Sequence, residues 1–153
     1  MTNRIEKKEM KVVVFSLDNK EYALDVEHVV SIERMQKFTR VPHVPPYIKG
    51  VINLRGVIIP IIDLRIRMGM EEVPYDHHSR IIIVEMDNKE VGLIVDAAND
   101  VMNIQVEHIE SQPDIIGKNK QDYIMGVLRY NNRLLILLKL EQVLNLQEDR
   151  EKE

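Results

Sequence analysis

The sequence predicts a mainly β protein built from two small, closed or nearly closed barrels related by duplication, and three observations carry that prediction. Apolar residues come in short runs rich in Val and Ile, separated by Gly, Asn, Asp and Pro, which is the pattern of strands. Polar turn signals sit between neighbouring runs. Two distinct blocks of sequence then recur, in the same order, in the second half of the chain.

The first block is "LDNKEYALDV", Leu17 to Val26, which aligns on "MDNKEVGLIV", Met86 to Val95, with Asp18 matching Asp87. In each copy an apolar run ("VVVFSL", then "RIIIVEM") reaches a polar turn, Asp18-Asn19-Lys20 or Asp87-Asn88-Lys89, and the chain returns as a second strand. Short helical turns fit "DVEHVV" and "DAANDV", which follow the two hairpins. The second block is "YIKGVINLRGVIIPIIDL" from Tyr47, aligned on "YIMGVLRYNNRLLILLKL" from Tyr123. The extra residues of the second half fall around "IESQPDIIGKNKQD", which reads as a longer loop. Each half thus supplies about five short strands, enough for a small barrel, and two such barrels side by side would share an apolar seam. The end, "LKLEQVLNLQEDREKE", places Leu140, Val143 and Leu144 at helical spacing before turning wholly charged, so a terminal helix is expected there.

Within the second block, Arg55-Gly56 falls on Asn131-Asn132, a pair suited to the positive φ of a tight hairpin. Arg55 is therefore expected at a hairpin tip between "GVINL" and "VIIPII". A solvated residue would suffice for the turn, and the matching asparagine shows that arginine is not needed to make it. A planar donor raised at the end of two apolar strands is suited to gripping a carboxylate or backbone carbonyls of a partner. Pro60 has no amide hydrogen, so its strand is expected at an edge or bulged there. Gly50 and Gly126 pair in the repeat and suggest a bulge or close backbone approach.

Several functions are disfavoured by composition. The chain of 153 residues has no cysteine, which excludes thiol catalysis, disulfides and cysteine-ligated metals. Net charge is −4 with the basic residues dispersed, Trp is absent and Phe occurs twice; nucleic acid is not an expected partner. No apolar stretch approaches the roughly 18 residues that span a bilayer, so no direct membrane insertion is expected and a cytoplasmic location fits. Of the five histidines only His77 and His78, beside Asp76, are grouped, and on an extended segment they would point to opposite sides. No metal or cofactor is expected. Asp18 and Asp87 recur but sit in turns, and no nucleophile, acid–base pair or phosphate loop is visible, so no catalytic residue is assigned. The rival of another class, an enzyme on a duplicated barrel, would need a clustered acid or base lining.

"YIKGVINLRGVIIPIIDLR", preceded by Thr39-Arg40-Val41-Pro42, resembles the "GxxNLRGxxxPxxDLR" signature of the CheW family of chemotaxis coupling proteins. The resemblance extends from about Val12 through Leu144, including "VFSLDNKEYALDV" and "VGLIVDAANDV". It implies a pseudo-duplicated pair of five-stranded SH3-like barrels in one CheW-like domain at 11–147. The first barrel is expected at roughly 11–79 and the second at roughly 80–147, strands being free to exchange between them, with a charged tail at 148–153. It further implies a non-enzymatic scaffold that joins the regulatory domain of the histidine kinase CheA to chemoreceptor hairpin tips, recruited from the cytoplasm to membrane-associated receptor arrays. Carried over by position, receptor contacts fall on Val29, Ile32, Gly50, Asn53, Arg55 and Val101, and kinase contacts on Phe38, Val41 and Val44. Where relatives often have an acid between the two apolar positions of the first group, this chain has Ser31, with an acid at Glu33. Related readings are a coupling module detached from a receiver domain, or an adaptor serving another kinase.

Overall fold

Four two-residue turns organise the chain, and each places both central residues at positive φ. They are Asp18-Asn19 (53° and 64°), Arg55-Gly56 (54° and 83°), Asp87-Asn88 (55° and 64°) and Asn131-Asn132 (48° and 68°). This is the backbone that matches the twist of a β-hairpin, and Asp, Asn and Gly tolerate it. The computed structural model describes residues 8–111 and 123–145. Among them are ten strands: β1 (Glu9–Leu17), β2 (Lys20–Asp25), β3 (Val29–Arg34), β4 (Ile48–Leu54), β5 (Val57–Asp63), β6 (Arg80–Met86), β7 (Lys89–Val95), β8 (Ala97–Gln105), β9 (Ile124–Tyr130) and β10 (Arg133–Leu138). Single helical turns, α1 (Leu64–Arg67) and α2 (Leu140–Val143), follow the last strand of each half. The terminal helix is thus one turn long up to Asn145; the charged tail and most of the longer loop lie outside the described residues.

The strands form two five-stranded sheets, in the orders β8-β1-β2-β10-β9 and β3-β6-β7-β5-β4. Each sheet therefore draws strands from both sequence halves. The first hairpin of each half, β1-β2 or β6-β7, is inserted into the sheet made by the last three strands of the other, through the parallel pairs β2-β10 and β5-β7. The sheets are consequently not coextensive with 11–79 and 80–147. Among the described residues neither closes by a continuous ladder. The gap is spanned by one isolated bridge in each, Thr39 with Val51 and Glu110 with Val127, each made of two backbone hydrogen bonds of 2.8–2.9 Å.

Those bridges explain the paired glycines. Gly50 is buried at φ 152°, one residue past a bulge, and a Cβ there would lie 2.2 Å from the carbonyl oxygen of Thr39. Gly126 is in the same position relative to Glu110, whose oxygen would be 2.6 Å from a Cβ. Only a residue without a side chain lets the bridging strand come so near.

The apolar residues divide into three cores. Val12, Val14, Leu135 and Leu137 face the interior of the first barrel, and Ile59, Ile61, Ile81 and Ile83 that of the second. Alternate residues of the same strands, among them Val13, Phe15, Ile62, Ile82, Ile136 and Leu138, meet in the seam between the sheets. Burial on both faces is why these strands read as continuous aliphatic runs rather than as an alternation. The seam is tied at its end by Arg67, buried between the rings of Tyr47 and Tyr123, 4.9 and 5.2 Å from their centroids. Its guanidinium donates to the carbonyls of Val143 (2.8 Å), Asn145 (3.1 Å) and Gln142 (3.3 Å) at the end of α2, where a cation is favoured.

Two local expectations are corrected. "DAANDV" is not a helical turn but the start of β8, because that segment pairs with β1 along its length; the 3-10 turn of the second half comes later, at Val106–His108. Pro60 lies in a strand that is internal to its sheet. The β5-β7 pairing begins only at Ile61, so at Pro60 the strand is locally an edge and the missing amide hydrogen breaks nothing.

Candidate functional site

The β4-β5 hairpin ends in the turn Arg55-Gly56, and Asn53 locks it: its Oδ1 accepts a hydrogen bond from the Gly56 amide at 3.0 Å. Asn53 thus shapes the tip as well as being exposed on it. The Arg55 side chain is 65% exposed, with Nη1 3.9 Å from the Glu33 carboxylate on β3. A two-residue turn with left-handed backbone suits asparagine or glycine better than arginine. The hairpin itself gives no reason for a guanidinium at this position.

The other residues assigned to this face lie on the outer strands of the two sheets. Ile32 of β3 pairs with Ile82, and Val101 of β8 pairs with Val13; both partners belong to the seam core. Residues paired across an antiparallel ladder share a face, so Ile32 (41% exposed) and Val101 (56% exposed) both stand on the seam side of their sheets. Val29 is half-buried against the seam core. The 3-10 turn Val26–His28 that leads into β3 packs against both β1 and β6, which brings the start of β3 alongside the strand that Val101 pairs with. Gly50 has no surface to offer here; it is buried under Thr39.

Among the described residues seven exposed apolar residues escaped the sequence reading: Val30, Val57, Ile58, Val106, Met125, Tyr130 and Leu134. Val30 is displayed because the β3-β6 register shifts between Val29 and Ser31, and a bulge is not visible in an apolar run. Ile58 faces outward opposite Asn53. Its repeat mate Leu134 is also exposed, so alternation counted inward from the tip was the available signal.

Val41 and Val44 line an open groove of about 630 Å³ with Arg40, Lys49 and Glu72. Phe38 is half-buried against the core of the second barrel and lines the adjoining groove with Val73, Pro74 and Tyr75. Lys49 Nζ donates to Glu72 at 2.8 Å, and that contact holds the Glu72 carboxyl below its ordinary range.

Charges elsewhere are engaged in structure. Arg65 makes a two-pronged contact with Asp96 (2.7 and 2.9 Å), and Asp96 also accepts from the Asp18 amide. Arg133 grips Glu21 in the same way at 2.9 Å and lowers its pKa. Buried Asp63 caps α1 through the Ile66 amide and accepts from Tyr75 at 2.7 Å; burial and this bond raise the Tyr75 pKa. Among the described residues none of these charges forms an acid–base pair in a cleft.

The histidine pair differs from expectation. A turn at His77-His78 brings the two rings to 3.9 Å between centroids, rather than to opposite sides, and the donor atoms of Asp76, His77 and His78 fall within 4.8 Å of one another. All three are exposed, and the Asp76 carboxylate is committed to the His78 amide at 2.8 Å. Among the described residues no helix is long and apolar enough to cross a membrane.

Comparison with known proteins agrees with this architecture. The chemotaxis protein CheW of Bacillus subtilis is 47% identical over 88% of this chain and 86% of its own length. CheW of Klebsiella aerogenes is 36% identical over 89% and 82%. The crystal structure of the scaffolding protein TtCheW from Thermoanaerobacter tengcongensis superposes with a TM-score of 0.82 at 37% identity, covering 89% of this chain and 92% of that one. A family model for the CheW-like domain matches residues 11–148, and with a shared fold, sequence and two-sheet topology the chain belongs to the CheW family of non-enzymatic chemotaxis adaptors.

Proposed function

We propose that this adaptor couples the histidine kinase CheA to chemoreceptor hairpin tips in cytoplasmic arrays at the membrane, so that receptors control the kinase. The receptor side is the exposed seam face together with the β4-β5 tip: Val29, Ile32 and Val101 supply apolar surface, and Asn53 and Arg55 the polar end. The kinase side is the groove lined by Val41 and Val44, with Phe38 next to it. Gly50 serves the receptor side indirectly, by setting the path of β4 toward the tip.

The observation that carries this reading is Arg55. It is an exposed arginine in a left-handed turn position, beside exposed apolar residues, where the fold would accept asparagine. Apolar side chains around one planar donor fit a helical hairpin that offers its own apolar stripe and a carboxylate or carbonyl.

The test is a pair of titrations of purified Arg55→Ala, one with a receptor cytoplasmic fragment and one with the CheA regulatory domain. Receptor affinity should fall by about one order of magnitude or more, on the basis of charge-assisted hydrogen bonds worth about 1.5–3 kcal/mol. Kinase affinity should hold. Unchanged receptor affinity would refute the receptor assignment, and Val41→Glu with wild-type kinase affinity would refute the other.

A further inference from the structure

We propose that Asp76, His77 and His78, on the turn that leads into β6, form a surface site for a divalent first-row transition metal such as Zn2+. The site is independent of the receptor and kinase readings. Its starting point is the turn that overturns the sequence expectation. Neighbouring histidines on extended chain point apart, which argues against a shared metal. Here the chain turns at His77-His78, and the two ring centroids stand 3.9 Å apart with their planes inclined at 41°. One donor atom from each of the three residues lies within 4.8 Å of the other two.

The turn is braced from several directions. The Asp76 amide donates to Ser79 Oγ at 2.9 Å, and the Ser79 amide donates back to the Asp76 carbonyl at 3.1 Å. Ser79 is buried, which anchors the turn to the barrel. The His78 amide donates to Asp76 Oδ1 at 2.8 Å. Arg80 Nη1 donates to the carbonyls of His77 and Ser79, each at 2.9 Å. The backbone of the turn is therefore held, while its imidazoles are left over. Among the described residues no hydrogen bond engages a ring nitrogen of either histidine; His78 Nδ1 stands 3.8 Å from Asp76 Oδ1, too far for one. Fixed backbone with available donors is the arrangement in which a chelate costs least to order.

The donor set selects the class of metal. Two imidazoles and one carboxylate suit Zn2+, Ni2+ or Cu2+, whereas Ca2+ and Mg2+ prefer shells made of oxygen. Asp76 serves twice, since Oδ1 caps the turn while Oδ2 remains for a cation. Metal–ligand bonds of about 2.0–2.2 Å place tetrahedral donors about 3.3–3.5 Å apart, so the widest separation here must close by about 1.5 Å. The side chains of Asp76 and His78 are each 65% exposed, and rotation about their χ angles meets little packing. Three protein ligands leave a fourth position to water. Because all three are exposed, the metal exchanges with solvent and the fold does not depend on it.

The experiment is calorimetric titration of the full, tag-free chain with ZnCl2 in a non-chelating buffer, with NMR of the histidine imidazoles followed in parallel. One equivalent should bind. The ring signals of His77 and His78 should shift while those of His28, His43 and His108 stay in place, and the same concentration of MgCl2 should move none of them. His77→Ala and His78→Ala should each weaken Zn2+ binding by about tenfold or more. Asp76→Asn keeps an oxygen to cap the turn but offers the metal a neutral donor, so its loss should be smaller yet measurable. Thermal melts of all three variants without metal should match wild type. Absence of saturable binding near one equivalent, or comparable shifts at all five histidines, would overturn the proposal without recourse to any variant. Wild-type affinity in any of the three variants would overturn the three-ligand site.

Discussion

Replacing Gly50 by alanine should damage the fold itself, and the structure allows the size of the effect to be worked out. A Cβ at this position would lie 2.2 Å from Thr39 O and 2.9 Å from its carbonyl carbon, and both are backbone atoms that cannot swing aside as a flexible side chain would. The Thr39-Val51 bridge must then open, giving up hydrogen bonds of 2.8 and 2.9 Å, each worth about 0.5–1.5 kcal/mol net. An alanine at φ 152° adds backbone strain of about 1–3 kcal/mol. The sum is about 2–6 kcal/mol, or a fall in Tm of roughly 4–24 °C for a chain of this size. Gly126→Ala carries the clash with Glu110 O without the positive φ, so its loss should be smaller but of the same kind. The assay is thermal unfolding followed by circular dichroism, with hydrogen exchange at the Thr39 and Val51 amides to show that the bridge has opened. A Gly50→Ala protein melting within about 2 °C of wild type would refute the reasoning. Gly50→Asp would meet the same backbone obstruction at Thr39. Loss of receptor binding in that variant would be expected alongside a lowered Tm, so it would not by itself make Gly50 a receptor contact.

The other predictions follow from single contacts. Arg55→Asn, which substitutes the residue found at the repeat-related tip, should leave Tm equal or raised by up to about 3 °C, because relief of the left-handed strain outweighs an exposed ion pair; calorimetry would show a marked drop in Tm if the arginine belongs to the fold. Arg67→Met should destabilise by about 2–4 kcal/mol in urea titration, since it leaves buried carbonyls at the end of α2 without their donor. Glu21, whose pKa Arg133 holds below the ordinary 4.5, stabilises the folded state above that value and loses its contribution as pH falls through the lower folded value. The Tm gap between wild type and Glu21→Gln should therefore be constant from pH 8 to about 5 and shrink below about 4.5; a gap that widened on acidification would contradict the sign. Separately produced 1–79 and 80–153 should each lack a stable fold and regain the β spectrum on mixing, because neither half contains a complete sheet.

What the sequence made legible is what short-range chemistry encodes. Asp18-Asn19, Asp87-Asn88 and Asn131-Asn132 declare their hairpins because few other residues accept left-handed backbone at two consecutive positions, and the duplication is visible because the turns recur in order. That strands could exchange was expected from the family resemblance, but which ones do was not legible, since the pairing of β5 with β7 or β2 with β10 joins residues far apart in the chain through hydrogen bonds that carry no residue preference. The reading of "DAANDV" failed for the same reason: its small and polar residues suit a local turn, and only the long-range partner β1 makes them a strand. His77 and His78 were misplaced because the direction of neighbouring side chains depends on whether the backbone is extended, and here it turns.

The short stretch "GVINLRG" shows why a motif cannot be read as one functional unit. Its first glycine is required by the fold, which has no space for a side chain under Thr39. Asn53 is required by the turn, whose amide it accepts, while also being exposed. Ile52 is a barrel core residue. Arg55 alone sits where the fold would be served as well or better by another residue. That contrast is the ground on which a role beyond the fold is proposed for Arg55. It also fits where the apolar surface is found. Strands buried on both faces leave little to display, so exposed apolar side chains at Val30, Ile32, Val57, Ile58 and Val101 come from outer strands and a hairpin tip. An arginine that the turn does not need stands at that same tip, 65% exposed.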